Sequence, residues 1–510
     1  MCLNWKKSIW SWLAWSVIGA TTSPMWAADS ETTPRPVPLT RPEMKRLLED
    51  MKTRKPRIPL PELTDEDREQ LGERGSSYES RLRYHYLPGG RNMQPRPTPG
   101  ATAPTPGGSP SGFAGASGFG GFGFAGAGGG RDSDPDMTLD YAFKTQLFWI
   151  VSRTNNCQYC LGHQESKLLA AGMSEDQIAS LDVDWSQFSP AQQAAFAYAR
   201  KITLDPHLLS DVDVEGLRKH FTDQQILEMT LSVAGNNAIN RWKEGAGIPQ
   251  SAGGGNFGAR RPEAGAAPGK RDERSAARPV DKAGRGGESH SYLTPTSSQF
   301  ESRVTRVAPV EGELKPELKT APTLFRRPPL ESRAQVEAKL ADVRQRQPRL
   351  PLVDDAKTRE LLPEGFPEGD LPKWARLLAN FPASAKSRIA AVMNNETKGD
   401  LSPLVKAQVS WIIARQDRAW YALAEAQQRL KTLGQSDDQI FALDGPWDGF
   451  TPADRAAFTI AKKLAATPVV LTDAEVTEAV KQLGPRDVVQ LISYTTHRAS
   501  FDRVTEAAGL

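Results

Sequence analysis

Two cysteines and a histidine fall at intervals of three in Asn155-Asn156-Cys157-Gln158-Tyr159-Cys160-Leu161-Gly162-His163. On a helix this spacing puts both sulfurs and the imidazole on neighbouring parts of one face. Cys157 is expected in the first turn, where unpaired backbone N–H groups and the helix dipole stabilise a thiolate. Cys160, one turn on, can reach Cys157 to close a disulfide, and His163 can shuttle a proton to or from Cys160. Cys157, Cys160 and His163 are therefore the candidate catalytic residues, and the chemistry they point to is thiol redox. The only other cysteine is Cys2. A c-type haem site needs a histidine directly after the second cysteine, and Leu161 stands there. Zinc would need a fourth ligand, which no second cysteine pair or nearby His-x-x-His supplies. No metal and no cofactor is expected. An inert structural disulfide stays open as an alternative, although a bridge closing so short a loop adds little chain-entropy stabilisation.

The elements that must position these residues read as helices. Phe143–Arg153 is apolar-rich, with Phe148, Trp149 and Val151 available to a core. Asn155 or Asn156 can cap a second helix that runs to Ala171 and stops at Gly172. Ser174 caps a short third helix, and Ser189-Pro190 opens a fourth carrying Ala195, Phe196 and Ala199. Asp211 and Thr222-Asp223 start two more. No alternating apolar–polar stretch competes, so the fold class is all-α.

The sequence also repeats itself. A shift of 262 aligns Leu139–Ile248 with Leu401–Leu510 without a gap. Trp149-Ile150-x-x-Arg153 meets Trp411-Ile412-x-x-Arg415, and Gly172-x-Ser174-x-Asp176-Gln177-Ile178 meets Gly434-x-Ser436-x-Asp438-Gln439-Ile440. Roughly thirty of about 110 aligned positions are identical, which marks a duplicated domain. Upstream, Pro56-Arg57-Ile58-Pro59-Leu60 echoes Pro348-Arg349-Leu350-Pro351-Leu352 at a shift of 292. The first copy is thus longer by an insert. In the second copy Cys157, Cys160 and His163 are replaced by Ala419, Ala422 and Glu425, so no thiol chemistry is available there. His497 is isolated and reads as structural.

Composition sets the frame around the repeats. Residues 91–135 are rich in Gly, Pro, Ala and Phe, and 251–330 are similar but charged; both read as disordered. At the start, Lys6-Lys7 precede the apolar run Ile9–Ile18, and small residues follow to Ala27-Ala28, as in a secretory signal peptide. The expected organisation is a signal peptide (1–28), an N-terminal extension of the first repeat (29–90), a Gly/Pro-rich insert (91–135) and a redox-active helical domain (136–250). A linker (251–330) and a second, cysteine-free helical domain (331–510) complete it. With 64 Lys and Arg against 61 Asp and Glu, the formal charge of +3 gives no basic field of the kind a nucleic-acid binder needs. No later segment reaches 18 consecutive apolar residues, so no stable membrane span is expected.

With Cys157, Cys160, His163 and the Gly172–Ile178 turn in place, the repeat resembles the alkylhydroperoxidase D-like and carboxymuconolactone decarboxylase family of small all-helical oligomeric proteins. The resemblance covers about 110 residues of the first copy, and reaches the second by internal homology. It implies two tandem domains of that fold and a homo-oligomer. It implies a peroxiredoxin-type peroxidase or thiol–disulfide oxidoreductase, acting on a peroxide or disulfide and recharged by a thiol electron donor. In that scheme Cys160 is peroxidatic, Cys157 resolving and His163 the relay base, whereas helix-dipole reasoning alone favours Cys157 as the nucleophile. The chain departs from the family in two places. Two residues rather than three separate Cys160 from His163, and Thr145 stands where the relay glutamate belongs. A non-catalytic tandem scaffold with an inert bridge is the alternative. A lactone decarboxylase is disfavoured because that branch lacks the cysteine pair.

Overall fold

Short polar side chains at helix starts determine where most elements begin, because each supplies an acceptor for N–H groups that have no partner within the helix. The computed structural model of the protein describes residues 34–38, 40–75, 77–92, 134–250 and 329–510. Thr40 caps α1 (Arg41–Asp50); α2 is Asp65–Gly75, and Ser77 caps α3 (Tyr78–Tyr86). Asp140 then opens α4 (Tyr141–Thr154), and Cys157 caps α5 (Gln158–Ala170). Ser174 and Ser189 cap α6 (Glu175–Val183) and α7 (Pro190–Leu204). α8 (Asp211–Arg218) and α9 (Asp223–Gly245) complete the first repeat. The expected signal peptide, most of the insert and nearly all of the linker lie outside the described residues.

One cap differs from expectation. Neither Asn155 nor Asn156 caps α5, because both side chains are occupied elsewhere. Asn155 Nδ2 donates to Asn237 Oδ1 (2.8 Å) and Asn240 Oδ1 (3.1 Å), and Asn156 Nδ2 donates to the carbonyls of Arg35 (3.4 Å) and Pro36 (3.1 Å). Asn156 takes the left-handed conformation (φ 58°), which Asn tolerates better than most residues, and Cys157 becomes the cap.

The second repeat runs through α10 (Arg333–Gln345), α11 (Asp355–Glu360), α12 (Lys373–Leu378) and α13 (Pro382–Thr397). α14 (Pro403–Asp417), α15 (Trp420–Thr432), α16 (Asp437–Phe441), α17 (Pro452–Ala465) and α18 (Asp473–Ala508) follow. α14 and α15 begin 262 positions after α4 and α5, and Arg418 (φ 53°) stands in the left-handed position of Asn156. α10 begins 292 positions after α1, so the duplication includes the helical extension. α18 combines the equivalents of α8 and α9, broken at Gly484 (φ 82°) where the first copy has the Thr222 cap. Among the described residues the protein is all-helical, with no strand.

The repeats pack on each other through α9 and α18, and the contacts recur in exchanged form. Arg241 Nη2 donates to the Ala465 carbonyl (3.1 Å), and its equivalent Arg503 Nη2 donates to the Thr203 carbonyl (3.1 Å). Arg57 of the first extension pairs with Asp473, while Arg349 of the second pairs with Asp211 (2.8 Å). Each partner lies 262 positions from its counterpart, so the single chain forms a pseudo-two-fold contact of the kind that identical subunits make.

Candidate redox site

The turn from α4 into α5 delivers Cys157 to a helix N-terminus. Its Sγ accepts the N–H of Cys160 at 3.4 Å, so the two cysteines are in direct contact, and both are free thiols. Cys157 is 0% exposed and Cys160 2%. The N-terminal extension runs over this turn. Residues 35–38 cross the turn through Asn156 and through Arg153, whose Nη2 donates to the Pro38 carbonyl at 2.8 Å. α1 lies along α5, with Arg41 and Lys45 paired to Glu165.

This burial corrects the expectation of a helix-stabilised thiolate at Cys157. Burial above all, then the Cys160 thiol and the negative charge of Glu244, push the Cys157 thiol well above its ordinary range. The Cys160 N–H works in the other direction and is outweighed. A single cap hydrogen bond does not offset the desolvation of a full negative charge.

Glu244, on the last turn of α9, is 5% exposed. Its Oε2 lies 3.5 Å from Arg54 Nη2 and 3.6 Å from Arg35 Nη1, both on the extension. Burial would raise its pKa, but Arg54, Arg35 and Arg57, joined by the Cys157 thiol, bring it below the usual carboxylate value. Oε1 is buried and accepts no conventional hydrogen bond from a described residue. In the second repeat Glu506 stands at the same position. Its Oε1 accepts the N–H of Trp420 (2.6 Å), the first residue of α15, and Oε2 pairs with Arg346 (3.0 Å). Ala419 has no side-chain acceptor to offer there, and the glutamate takes over the capping that Cys157 performs in the first repeat.

His163 is half-buried one turn beyond Cys160, its ring centroid 4.7 Å from that of Tyr159. It makes no hydrogen bond to either thiol. Burial first, then the charges of Lys243 and Lys167, lower its pKa to about 4, so the imidazole is neutral near pH 7. Lys243 Nζ sits 4.3 Å from the centre of the Tyr159 ring and pairs with Glu79 of α3. Glu79 also accepts from Trp242 Nε1 (2.8 Å) and Arg83 Nη2 (2.9 Å). Burial opposes the Lys243 charge, and Glu79 more than offsets it.

The structure therefore joins Cys157 and Cys160, holds His163 near them without a bond, and adds Glu244, Lys243, Tyr159 and Glu79, which sequence reasoning missed. A signal for two of these was present, because Tyr159/Tyr421 and Glu244/Glu506 are identical pairs at the 262 shift. Thr145, at the expected relay position, donates its hydroxyl to the Tyr141 carbonyl of its own helix (2.8 Å). In the second repeat Ala419 and Ala422 are buried, and His497 is buried with Nδ1 2.7 Å from the Ser493 carbonyl.

Compared with protein-family models and with curated proteins, the chain matches none. The geometry of the site thus stands on its own. Among the described residues no group of three or more His, Cys, Asp or Glu is arranged to hold a metal ion. No helix among them is long and apolar enough to cross a membrane.

Proposed function

We propose that the chain is an exported thiol-dependent peroxidase, or a thiol–disulfide oxidoreductase using the same pair, built from two alkylhydroperoxidase D-like domains of which only the first is redox-active. The observation that carries this reading is the contact of two free thiols at the start of α5, beside a buried carboxylate. The Cys160 sulfur attacks a peroxide oxygen, the O–O bond breaks, and Cys160 becomes a sulfenic acid as water or an alcohol departs. Cys157 displaces the sulfenic oxygen to form the disulfide, and an external dithiol reduces it. His163, neutral at pH 7, accepts the proton that Cys160 gives up. The burial that raises the Cys157 pKa fits the resolving role, which needs a thiol only after Cys160 has reacted. Export and assembly of the whole chain into a homo-oligomer belong to this proposal.

Reduced protein treated with hydrogen peroxide should lose two hydrogens by mass spectrometry. Cys160→Ser should abolish peroxide consumption, and Cys157→Ser should accumulate a dimedone-reactive sulfenic acid at Cys160. Dimedone labelling at Cys157 in the Cys160→Ser variant would reverse the two roles. Two independent sulfonic acids with no bridge would sink the reading. One observation favours a second reading, an inert scaffold: both sulfurs are buried under the extension. It predicts that neither thiol of the reduced, folded chain reacts with peroxide or iodoacetamide.

A further inference from the structure

We propose that Glu244 is the acid–base residue of disulfide formation, taking the proton of Cys157 as the S–S bond closes and handing it to the departing oxygen. The inference rests on the peroxidase reading, with Cys160 as the cysteine oxidised. Its geometric basis is the comparison of the two repeats. Glu506 touches the first N–H of α15, so Glu244, at the same place in the first repeat, stands at the start of α5, where Cys157 is the cap. Arg54 and Arg35 fix one carboxylate oxygen, and the other is buried without a conventional hydrogen bond from a described residue. A buried carboxylate oxygen left in this way is costly unless a donor is at hand, and the Cys157 thiol is the neighbouring group that, after the guanidiniums, helps hold the Glu244 pKa down.

The site is closed to bulk water, with Cys157 fully buried, so the proton it releases needs a protein acceptor. Cys160–SOH and Cys157–SH become a disulfide and water. The S–O bond breaks as the S–S bond forms, the Cys157 proton passes to Glu244, and Glu244 returns it to the leaving hydroxide. Peroxide, which made the sulfenic acid, is the only oxidant, and Glu244 ends the step as it began. Arg35, Arg54 and Arg57 face Glu244, and Cys160 faces Cys157. Burial lowers the Arg54 guanidinium to about 9, still above the range from about pH 5.5 to 8, so over that range the closing step reports the thiol and the carboxylate.

The test uses the full reduced chain mixed with hydrogen peroxide, following sulfenic acid by dimedone trapping and the bridge by quenched mass spectrometry. Glu244→Gln should slow closure roughly 100-fold, counted from the sulfenic acid already formed and not from peroxide consumption. Its closure rate should rise about tenfold per pH unit, as only the ionised Cys157 then reacts, while the wild type stays flat. Closure at the wild-type rate, or slowing by one factor at every pH, would overturn the assignment, the second outcome being what a merely structural glutamate gives. If circular dichroism shows Glu244→Gln unfolded, Glu244→Asp decides: slower but pH-independent closure supports the role, and a tenfold rise per unit overturns it. A wild type that forms no sulfenic acid overturns the peroxidase reading and this inference together. A wild type that closes its bridge no faster than the variant overturns the inference alone.

Discussion

At Cys157 and His163 the same physical influence, burial, acts with opposite consequences. It penalises the charged form of each, so Cys157 holds its proton and His163 gives its proton up. Both states suit the proposed scheme, in which Cys157 resolves and a neutral imidazole accepts a proton. The histidines also tie stability to pH. His163 and His497 are both lowered to about 4, below the ordinary 6.5. Between those values the unfolded chain binds more protons than the folded one, so each histidine removes stability as pH falls from 6.5 toward 4. Carboxyls with raised pKa, Glu228 and Glu506 among them, act in the other direction, so the comparison has to be with the parent chain at each pH. His163→Gln and His497→Gln should each gain stability relative to the wild type between pH 7.5 and 5, measured by urea unfolding. A difference independent of pH would contradict the neutral, buried assignment.

At the scale of the element, the helix ends do the positioning. α5 places its thiol because Asn156 turns the chain in the left-handed conformation just before the cap. The far ends of α9 and α18 are closed by Gly247 (φ 64°) and Gly509 (φ 68°), where a left-handed residue is required. Beside each glycine an arginine of the extension donates to a carbonyl of the last turn: Arg57 to Glu244 (2.7 Å) and Arg349 to Glu506 (2.6 Å). A Cβ on Gly247 would come within 2.6 Å of Arg57 Cγ, and one on Gly509 within 2.8 Å of Arg349 Cγ. Gly247→Ala should therefore lose roughly 1–2 kcal/mol from the left-handed backbone alone. Displacing Arg57 should also loosen the cover over Glu244 and speed alkylation of Cys157. Chemical denaturation and iodoacetamide labelling of the reduced chain measure the two effects, and an unchanged labelling rate would uncouple the cap from the site.

For the whole molecule, the second repeat supplies the surface on which α9 is buried. The guanidiniums of Arg241 and Arg503 are both fully buried and each reaches a carbonyl of the opposite repeat. Gly245 lets the helices approach, since a Cβ there would lie 2.8 Å from Ile492 Cγ2. Removing residues 251–510 strips the carbonyl partner from Arg241 and exposes the apolar face of α9. The remaining chain should melt lower than the parent and associate through α9, because the exchanged contacts that joined the two repeats fit a second copy as well. Light scattering and thermal melts of the two chains check this. A monomer with the parent's melting temperature would show that the second repeat gives no support.

The all-helical class, the duplication at shifts of 262 and 292, and the meeting of Cys157 with Cys160 were legible in the sequence, because each is fixed by local spacing, capping or identity along the chain. The state of Cys157 was not. A helix start favours a thiolate on local grounds, but the extension that crosses this turn lies about a hundred residues earlier, and Glu244 nearly ninety later. The cap itself moved from the asparagines to Cys157 because α9 and residues 35–36 occupy both amide side chains. Lys243, Glu79 and Arg54 acquire meaning only when α3, α9 and the extension converge on α5. Desolvation and charge depend on distance through space, and only the tertiary structure decides which distant residues become neighbours.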